Sequence, residues 1–544
     1  VKLKSSVGLL LTLFLASTFI MTITIQTVGA NPDTIYIKTD GSVDPPTAPI
    51  QRDGDAYTFT DNIYDSIVVE RDNIVVDGAG YAVQGTGGGW GIELSGRSNV
   101  TMRNMEIRAF YYGILLDYYS SYNNIIGNNI TANNQDGIRL WDSSYNSVVG
   151  NNITNNDCGI WLQYSSNNSI HENHITANNK CGIELVSSNN NGMVENDITN
   201  NDYGIVLSNS NNTSVVGNNI TANTRSGILL GHSSNNMLRS NNMANNKYNL
   251  DVKGESLSHF VNDVDASNTV NGKPVYYWIN EADRAVPLDA GYVALINCTR
   301  LIVQNLNLTN NAQGILLAFT TNSTIAKNNI ENNWHGIWLN YSSNNKFYHN
   351  NLINNAKQVY IGTSGYANFW DLGYPSGGNY WSDYTSVDLF SGLYQIDPNG
   401  DGIGDMPYII DSDNRDRYPL MSIVDTIKPV ANAGSDQTVY VGENVTFNAN
   451  LSNDNFGIIS YDWYFGDGTT GTGVITTHQY NKTGTFTVTL TVKDAEGNSD
   501  TDTISIIVLA PSERLPLWVI GVGTVAAIVI GATILWKRKA KPSG

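Results

Sequence analysis

The chain has 544 residues, 15% of them charged, with 30 basic against 49 acidic side chains and a formal net charge of −19. That balance excludes a general nucleic-acid binder, which needs a basic surface. Three cysteines exclude both a disulfide-dense scaffold and a four-cysteine zinc site within one chain.

At the N-terminal end Lys2 and Lys4 precede an apolar run over residues 7–21, and Val28-Gly29-Ala30 supplies the small residues that a signal peptidase reads. Residues 1–30 are therefore expected to be an export signal, and residues 31–63 an N-terminal cap. Then the chain repeats. The tetrads GIEL, GILL, GIRL, GIWL, GIEL, GIVL and GILL place glycines at 91, 113, 137, 159, 182, 204 and 227, and the pattern resumes at Gly314 and Gly336. A period of 22 to 24 residues means a solenoid. Within each unit the aliphatics alternate, as in Ile138/Leu140, Ile160/Leu162 and Ile183/Leu185, with Arg139, Trp161 and Glu184 between them. Period-two alternation predicts strands with the aliphatics inward and the variable residue outward. Residues 64–252 and 292–370 are read as coils, and residues 253–291 as an interruption within one array. About a dozen coils at ~4.8 Å each predict a rod on the order of 60 Å.

Asparagine is the compositional outlier, at 73 residues. Asn128, Asn151, Asn173, Asn196, Asn218 and Asn241 keep one register, and Asn133, Asn155, Asn178, Asn200 and Asn223 are read as a second. Stacked amides can hydrogen-bond along the axis and satisfy buried turns, so the surplus argues for order. Cys158 and Cys181 both precede a repeat glycine and should stack in adjacent coils, where either a disulfide or two buried thiols fits. His171, Glu172 and His174 form the one histidine cluster. Stacking would bring His174 near Asp197, a weak metal or acid/base patch of His171, His174 and Asp197. Seven His, eight Met and three Cys offer no thioether or thiolate cluster for copper. Tyr118, Trp141, Trp161 and Tyr164, with Tyr111, Tyr112, Tyr119 and Tyr145 nearby, could stack on sugar rings or simply fill coil surfaces. The acids Asp117, Asp142, Glu184 and Glu195 read as scattered, with no pair set for glycosidic chemistry.

Residues 371–424 are acidic. Asp397, Asn399, Asp401 and Asp405 form D-x-N-x-D-G-x-G-D, with oxygen ligands spaced for Ca²⁺ and Gly402 at the sharp turn. Tyr408 stands where the usual bidentate acid would be, so the alternative is a solvated turn. After Asp425 strand-like runs such as "GTFTVTLTVKD" alternate with Gly/Asp turns, as in a small β-sandwich. Residues 516–536 carry no charge and can cross a hydrocarbon core of about 30 Å. Lys537, Arg538, Lys539 and Lys541 come next, which places the tail 537–544 in the cytoplasm and the bulk outside, a single-pass type I arrangement. Exposed Asn-x-Ser/Thr sequons would then carry glycans.

Three strings go beyond the coils: "PIQRDGDAYTFTDNIYDSIVVERDNIVVDGAG", "NTVNGKPVYYWIN", and "GGNYWSDY" followed by "GDGIGDMPYIIDSDNRDRYPL". With them, residues 33–421 resemble the NosD-like right-handed parallel β-helix proteins of the carbohydrate-binding and sugar-hydrolase type. The string "YDWYFGDGTTGTG", with Trp463, Phe465 and Asp467, makes residues 428–509 resemble a PKD domain, an immunoglobulin-like module of surface proteins. The resemblance implies an all-β, membrane-anchored surface protein: a β-helix on a PKD spacer. Its expected partners are glycans or cell-envelope components. The alternatives are a polysaccharide lyase, hydrolase or epimerase, and NosD-like copper handling.

Overall fold

The computed structural model describes residues 34–510 apart from 364, 427, 455–456 and 495–496. The expected export signal and membrane helix lie outside the described residues. Among the described residues no helix is long and apolar enough to cross a membrane.

The chain builds an all-β solenoid of the right-handed type with about fourteen turns, followed by a β-sandwich. A typical turn contributes three strands, such as Asp136–Trp141, Ser147–Val149 and Asn152–Thr154, and each pairs in parallel with its equivalent one turn on. The aliphatics stack inside: Ile138, Ile160 and Ile183 are fully buried, as are Leu140, Leu162 and Leu185. The repeat glycine is fixed by close approach. A Cβ on Gly137 would stand 2.8 Å from the carbonyl oxygen of Gly159 and 2.8 Å from Ile153.

Asparagine holds the turns. The main-chain N–H and the Nδ2 of Asn151 both donate to Oδ1 of Asn173, each at 3.0 Å, while Asn173 Nδ2 donates to the Val148 carbonyl at 2.9 Å. The same pattern runs up the expected column from Asn128 to Asn241. The second column needs a correction. It consists of Asn133, Asn156, Asn178, Asn201, Asn223 and Asn246. Asn155 and Asn200 are the residues just before, which take the left-handed conformation of the turn. A third column, Asn123, Asn146, Asn168 and Asn191, was not anticipated.

The expected single rod is two stacks. Ten rungs of the first sheet, Ile35–Ile37 to Tyr248–Lys253, share one core; four more, Tyr292–Ile296 to Lys357–Ile361, build around a second. The segment read as a cap already supplies the first rung, which pairs in parallel with Ile67–Val69. Between the stacks the chain forms a four-residue helix, Leu257–Phe260, and then turns back. Thr269–Val270, the last strand of the third sheet, pairs antiparallel with Lys273–Ile279, which pairs parallel with Tyr292–Ile296.

The third sheet of the first stack thus becomes the first sheet of the second, and it is buried on both faces. Tyr292, Ala294, Ile296, Leu316, Ala318 and Trp338 pack into the first core; Val293, Leu295, Ile315, Leu317, Ile337 and Leu339 pack into the second. This seals the open end of the first stack, whose last rung would otherwise present an unpaired edge. The main chain of that rung bonds to the second stack from Asn249 N–H to Asn310 O (2.8 Å) and from Ala312 N–H to Leu250 O (3.2 Å). Gln313 Nε2 donates to buried Asp251 Oδ1 at 2.9 Å across the seam.

The second stack closes on Asp416. Its Oδ2 accepts from Asn379 N–H (2.7 Å) and Trp381 Nε1 (2.9 Å), and its Oδ1 accepts from Tyr418 N–H (3.1 Å). Burial pushes this carboxyl up to about 7 against the pull of those donors. In the sandwich a five-stranded sheet faces the pair Asn444–Asn448 and Ile475–Gln479 across a core centred on Phe447, Trp463, Val488 and Ile506. Trp463 Nε1 donates to the Gly473 carbonyl at 3.0 Å, so its buried indole is satisfied.

Candidate functional site

On the outer face of the first sheet, residues distant in sequence fall into register. Arg139 lies opposite Trp161 and Trp161 opposite Glu184, while Asp136 lies opposite Cys158 and Cys158 opposite Cys181. Tyr112 and Asp117 belong to the rung before, and Glu93 to the one before that. Arg139 is the hub. Its NH1 donates to Asp136 Oδ2 at 2.8 Å, and its guanidinium carbon sits 3.7 Å from the centre of the Trp161 ring and 4.8 Å from that of Tyr112. Trp141 meets Trp161 edge-on, with ring centres 6.1 Å apart. Cys158 and Cys181 are joined as a disulfide, Cα to Cα 4.6 Å, which ties two of these rungs together. Cys298 is a buried free thiol.

The electrostatics single this face out. Burial pushes the Asp136 carboxyl up to about 6 even though Arg139 pulls the other way. Burial raises Glu184, with Asp136 adding to the effect, and raises Glu93, with Asp117 adding to it. Asp117 is also raised by burial, and the Tyr112 phenol is pushed up to about 12. Among the described residues five carboxyls stand clear of their ordinary range on the high side. Four are on this face; the fifth is the structural Asp416. Such clustering is a mark of functional surfaces.

Beside the face runs a ridge of exposed tyrosines: Tyr118, Tyr119, Tyr122, Tyr145 and Tyr164. All five have positive φ, between 49° and 69°. The slot of Tyr122 and Tyr145 is filled further along the stack by Asn167, Asn190, Asn212 and Asn235, which tolerate that conformation well, and the slot of Tyr118 and Tyr164 by Gly96, Asp142, Ser187, Asn209 and His232. Tyr122 and Tyr145 stack with ring centres 5.3 Å apart. Large aromatic rings thus occupy left-handed positions on three consecutive rungs, as Phe319 and Tyr341 do in the second stack.

The sequence reading anticipated Tyr118, Trp141, Trp161 and Tyr164, and these four do fall on or beside one face. It took Asp117 and Glu184 as scattered and did not single out Asp136. The signal was available in the register: Glu93, Leu115, Arg139, Trp161 and Glu184 fill one slot of successive rungs, with Asp117 and Asp136 at the ends of theirs, however scattered they look along the chain.

The other candidates come together only in part. His174 Nδ1 lies 2.9 Å from Asp197 Oδ2, as stacking predicts, but His171 belongs to a strand of a different sheet and lies 3.9 Å from Glu172. In the acidic segment the carboxylates bind their own loop. Asp388 accepts from the N–H groups of Asp401 and Gly402, Asp405 from those of Leu389 and Phe390, and Asp401 from that of Ile403. Asp397, Asp401 and Asp405 do not bring three ligand atoms within 4.8 Å of one another. Among the described residues, three His, Cys, Asp or Glu ligand atoms come within 4.8 Å of one another at Cys158, Cys181 and Glu184, and at Asp425, Asp454 and Asp494.

Residues 22–201, 71–277 and 289–386 match the family described as periplasmic copper-binding protein (NosD), and residues 426–508 match the PKD domain family. Collagenase ColA of Clostridium perfringens is 33% identical over 109 residues, 20% of this chain and 10% of the collagenase. The PKD1 domain of the Vibrio cholerae metalloprotease PrtV is 38% identical over 15% of this chain and 98% of that domain, with a TM-score of 0.13. The periplasmic alginate epimerase AlgG is 19% identical over 38% of this chain and 50% of that one, with a TM-score of 0.32. This chain therefore spans a tenth of the collagenase and half of the epimerase. The NosD match extends over more than half of the chain, and the chain belongs to the NosD family, with a PKD domain following its β-helix.

Proposed function

We propose that this is a cell-surface protein that binds glycans or neighbouring envelope components through the outer face of its first stack. The PKD domain serves as a spacer, and residues 516–536 as a single membrane anchor. The observation that carries the reading is the coincidence, on the same rungs, of exposed tyrosines held in left-handed turns with Trp141, Trp161 and the raised carboxyls. Rings stack on sugar faces, and carboxylates accept from sugar hydroxyls. A glycan array on the full chain tests it, beside Tyr145→Asn and Tyr118→Asn variants. These substitutions suit the turn better, so each should raise stability by up to ~1 kcal/mol while glycan binding is lost. Unchanged binding by both variants would remove the ridge from the function.

A second reading has its own support in the raised carboxyls of Asp136 and Glu184, which suit acid–base work on a polysaccharide, as a hydrolase, lyase or epimerase. Product analysis of any glycan retained on the array separates turnover from binding. Copper, which the family description carries, has less support among the described residues. Cys158 and Cys181 are tied to each other, and among the described residues no group of three close ligands includes a histidine.

A further inference from the structure

The face carries a net negative charge. Between the rungs Trp90–Ser95 and Cys181–Val186 it presents Glu93, Asp117, Asp136, Asp157 and Glu184 against Arg139 and Lys180. Both cations are already engaged: Arg139 with Asp136 and Trp161, Lys180 with Asp157. The nearest flanking cations, Arg97 and Arg108, turn to Asp72 at 3.8 Å and to Glu106 at 2.8 Å. Glu93, Asp117 and Glu184 have no ion-pair partner among the described residues. A carboxylated polymer laid along this face would meet these three with no free cation to bridge them, and each close like-charge contact is unfavourable.

We propose that the face selects glycans whose sugars are uncharged or bear amines, and that it excludes polyuronates. The aromatic ridge supplies stacking that any pyranose can use, so charge is left to set the class of ligand. Amino groups would gain from the unpaired carboxylates, neutral sugars would bind through rings and hydroxyls, and uronates would be repelled. This rests on the glycan-binding reading above.

The test is titration calorimetry of the full chain with three hexasaccharides: a neutral β-glucan, its fully deacetylated glucosamine counterpart, and an oligogalacturonate, each at low and high salt. The expected result is binding of the first two, with the glucosamine oligomer weakened by salt, and none of the third. A Glu184→Gln, Asp117→Asn double variant should weaken the glucosamine oligomer roughly fivefold more than it weakens the glucan, and should remove most of the salt dependence. Oligogalacturonate binding as tight as the glucan would overturn the charge selection and leave the glycan reading standing. Failure of all three to bind would instead remove the glycan reading itself, and the selection with it.

Discussion

Removing the guanidinium of Arg139 is the sharpest perturbation of the site. Asp136 is almost wholly buried, and its one cationic partner stands 2.8 Å away. Even with that partner its carboxyl is pushed up to about 6, so the ionised form is already disfavoured by about 3 kcal/mol relative to an exposed aspartate. In Arg139→Leu the carboxylate is left unpaired, a loss of about 3–5 kcal/mol if it stays ionised. It can avoid part of this by taking a proton, so the cost depends on pH. Because the folded pKa lies above the unfolded one, the contribution of Asp136 to stability is full below about pH 4 and is lost as pH rises through 6. Without Arg139 that loss deepens and extends to higher pH. The variant should therefore be about 3 kcal/mol less stable than wild type at pH 7.5. At pH 5 it should be only about 1 kcal/mol less stable, the cation–π contacts with Trp161 and Tyr112 being what remains. Stacked repeats open locally, so the measurement is hydrogen exchange of the amides in Asp136–Trp141 and Cys158–Gln163, corrected for intrinsic rates, beside urea melts. Asp136→Asn in the same background should abolish the pH dependence. A cost below ~1 kcal/mol at pH 7.5, or equal costs at both pH values, would refute the assignment of Arg139 as the counter-ion of a buried carboxylate.

Asn173→Leu should lower stability by about 3 kcal/mol, because it removes the acceptor of the Asn151 main-chain N–H and the donor to the Val148 carbonyl; Asn152→Ala, whose amide bond is exposed, should cost under ~1 kcal/mol in the same urea melts. Gly378→Ala would set a Cβ 1.9 Å from Asp416 Oδ1 and should release the closing segment, seen as faster proteolysis near residues 377–418; wild-type resistance would count against the Asp416 clamp. Cys158→Ser should reduce stability by about 3 kcal/mol in the absence of reductant and by little in its presence, since the bridge closes a 23-residue separation; equal loss in both conditions would point to packing.

The repeat arithmetic made the solenoid legible because a Cβ at Gly137 meets backbone of the next turn, so that slot holds glycine through the middle rungs and marks each unit, while Ser66, Asn249 and Gln358 take it near the ends of the stacks. Inward aliphatics and the first asparagine column were legible for the same reason, as each slot has one fixed environment. The register slip to Asn155 and Asn200 arose where two asparagines are adjacent, Asn155-Asn156 and Asn200-Asn201, and composition does not say which is inside. The bend was not read, although a trace of it was present. The slot between the aliphatics is mixed in the first stack, with Leu115, Arg139, Trp161, Glu184, Val206 and Leu229, but holds Ala294, Leu316 and Trp338 in the second, where the outer face is buried. An outward slot that carries no charged residue on any of these rungs is the trace of a surface that is covered.

That contrast also explains why the site lies where it does. The second stack presents its first sheet to the first stack's core, so the equivalent outer face there is closed to any ligand, and Gln313 and Asp251 serve only to join the two bodies. The free outer face belongs to the first stack, and its middle rungs are held by parallel ladders on both sides and by the Cys158–Cys181 bridge. Side chains mounted on such strands lose little freedom on binding, because the ladders have already fixed their spacing. The tyrosines illustrate the exchange: each accepts a left-handed backbone that asparagine would adopt more easily, and in return its ring stands exposed at the turns that follow these strands. Stability of the coil and use of its surface therefore pull in opposite directions at these five positions, so a tyrosine-to-asparagine series that gains stability while losing ligand identifies the ridge as kept for recognition.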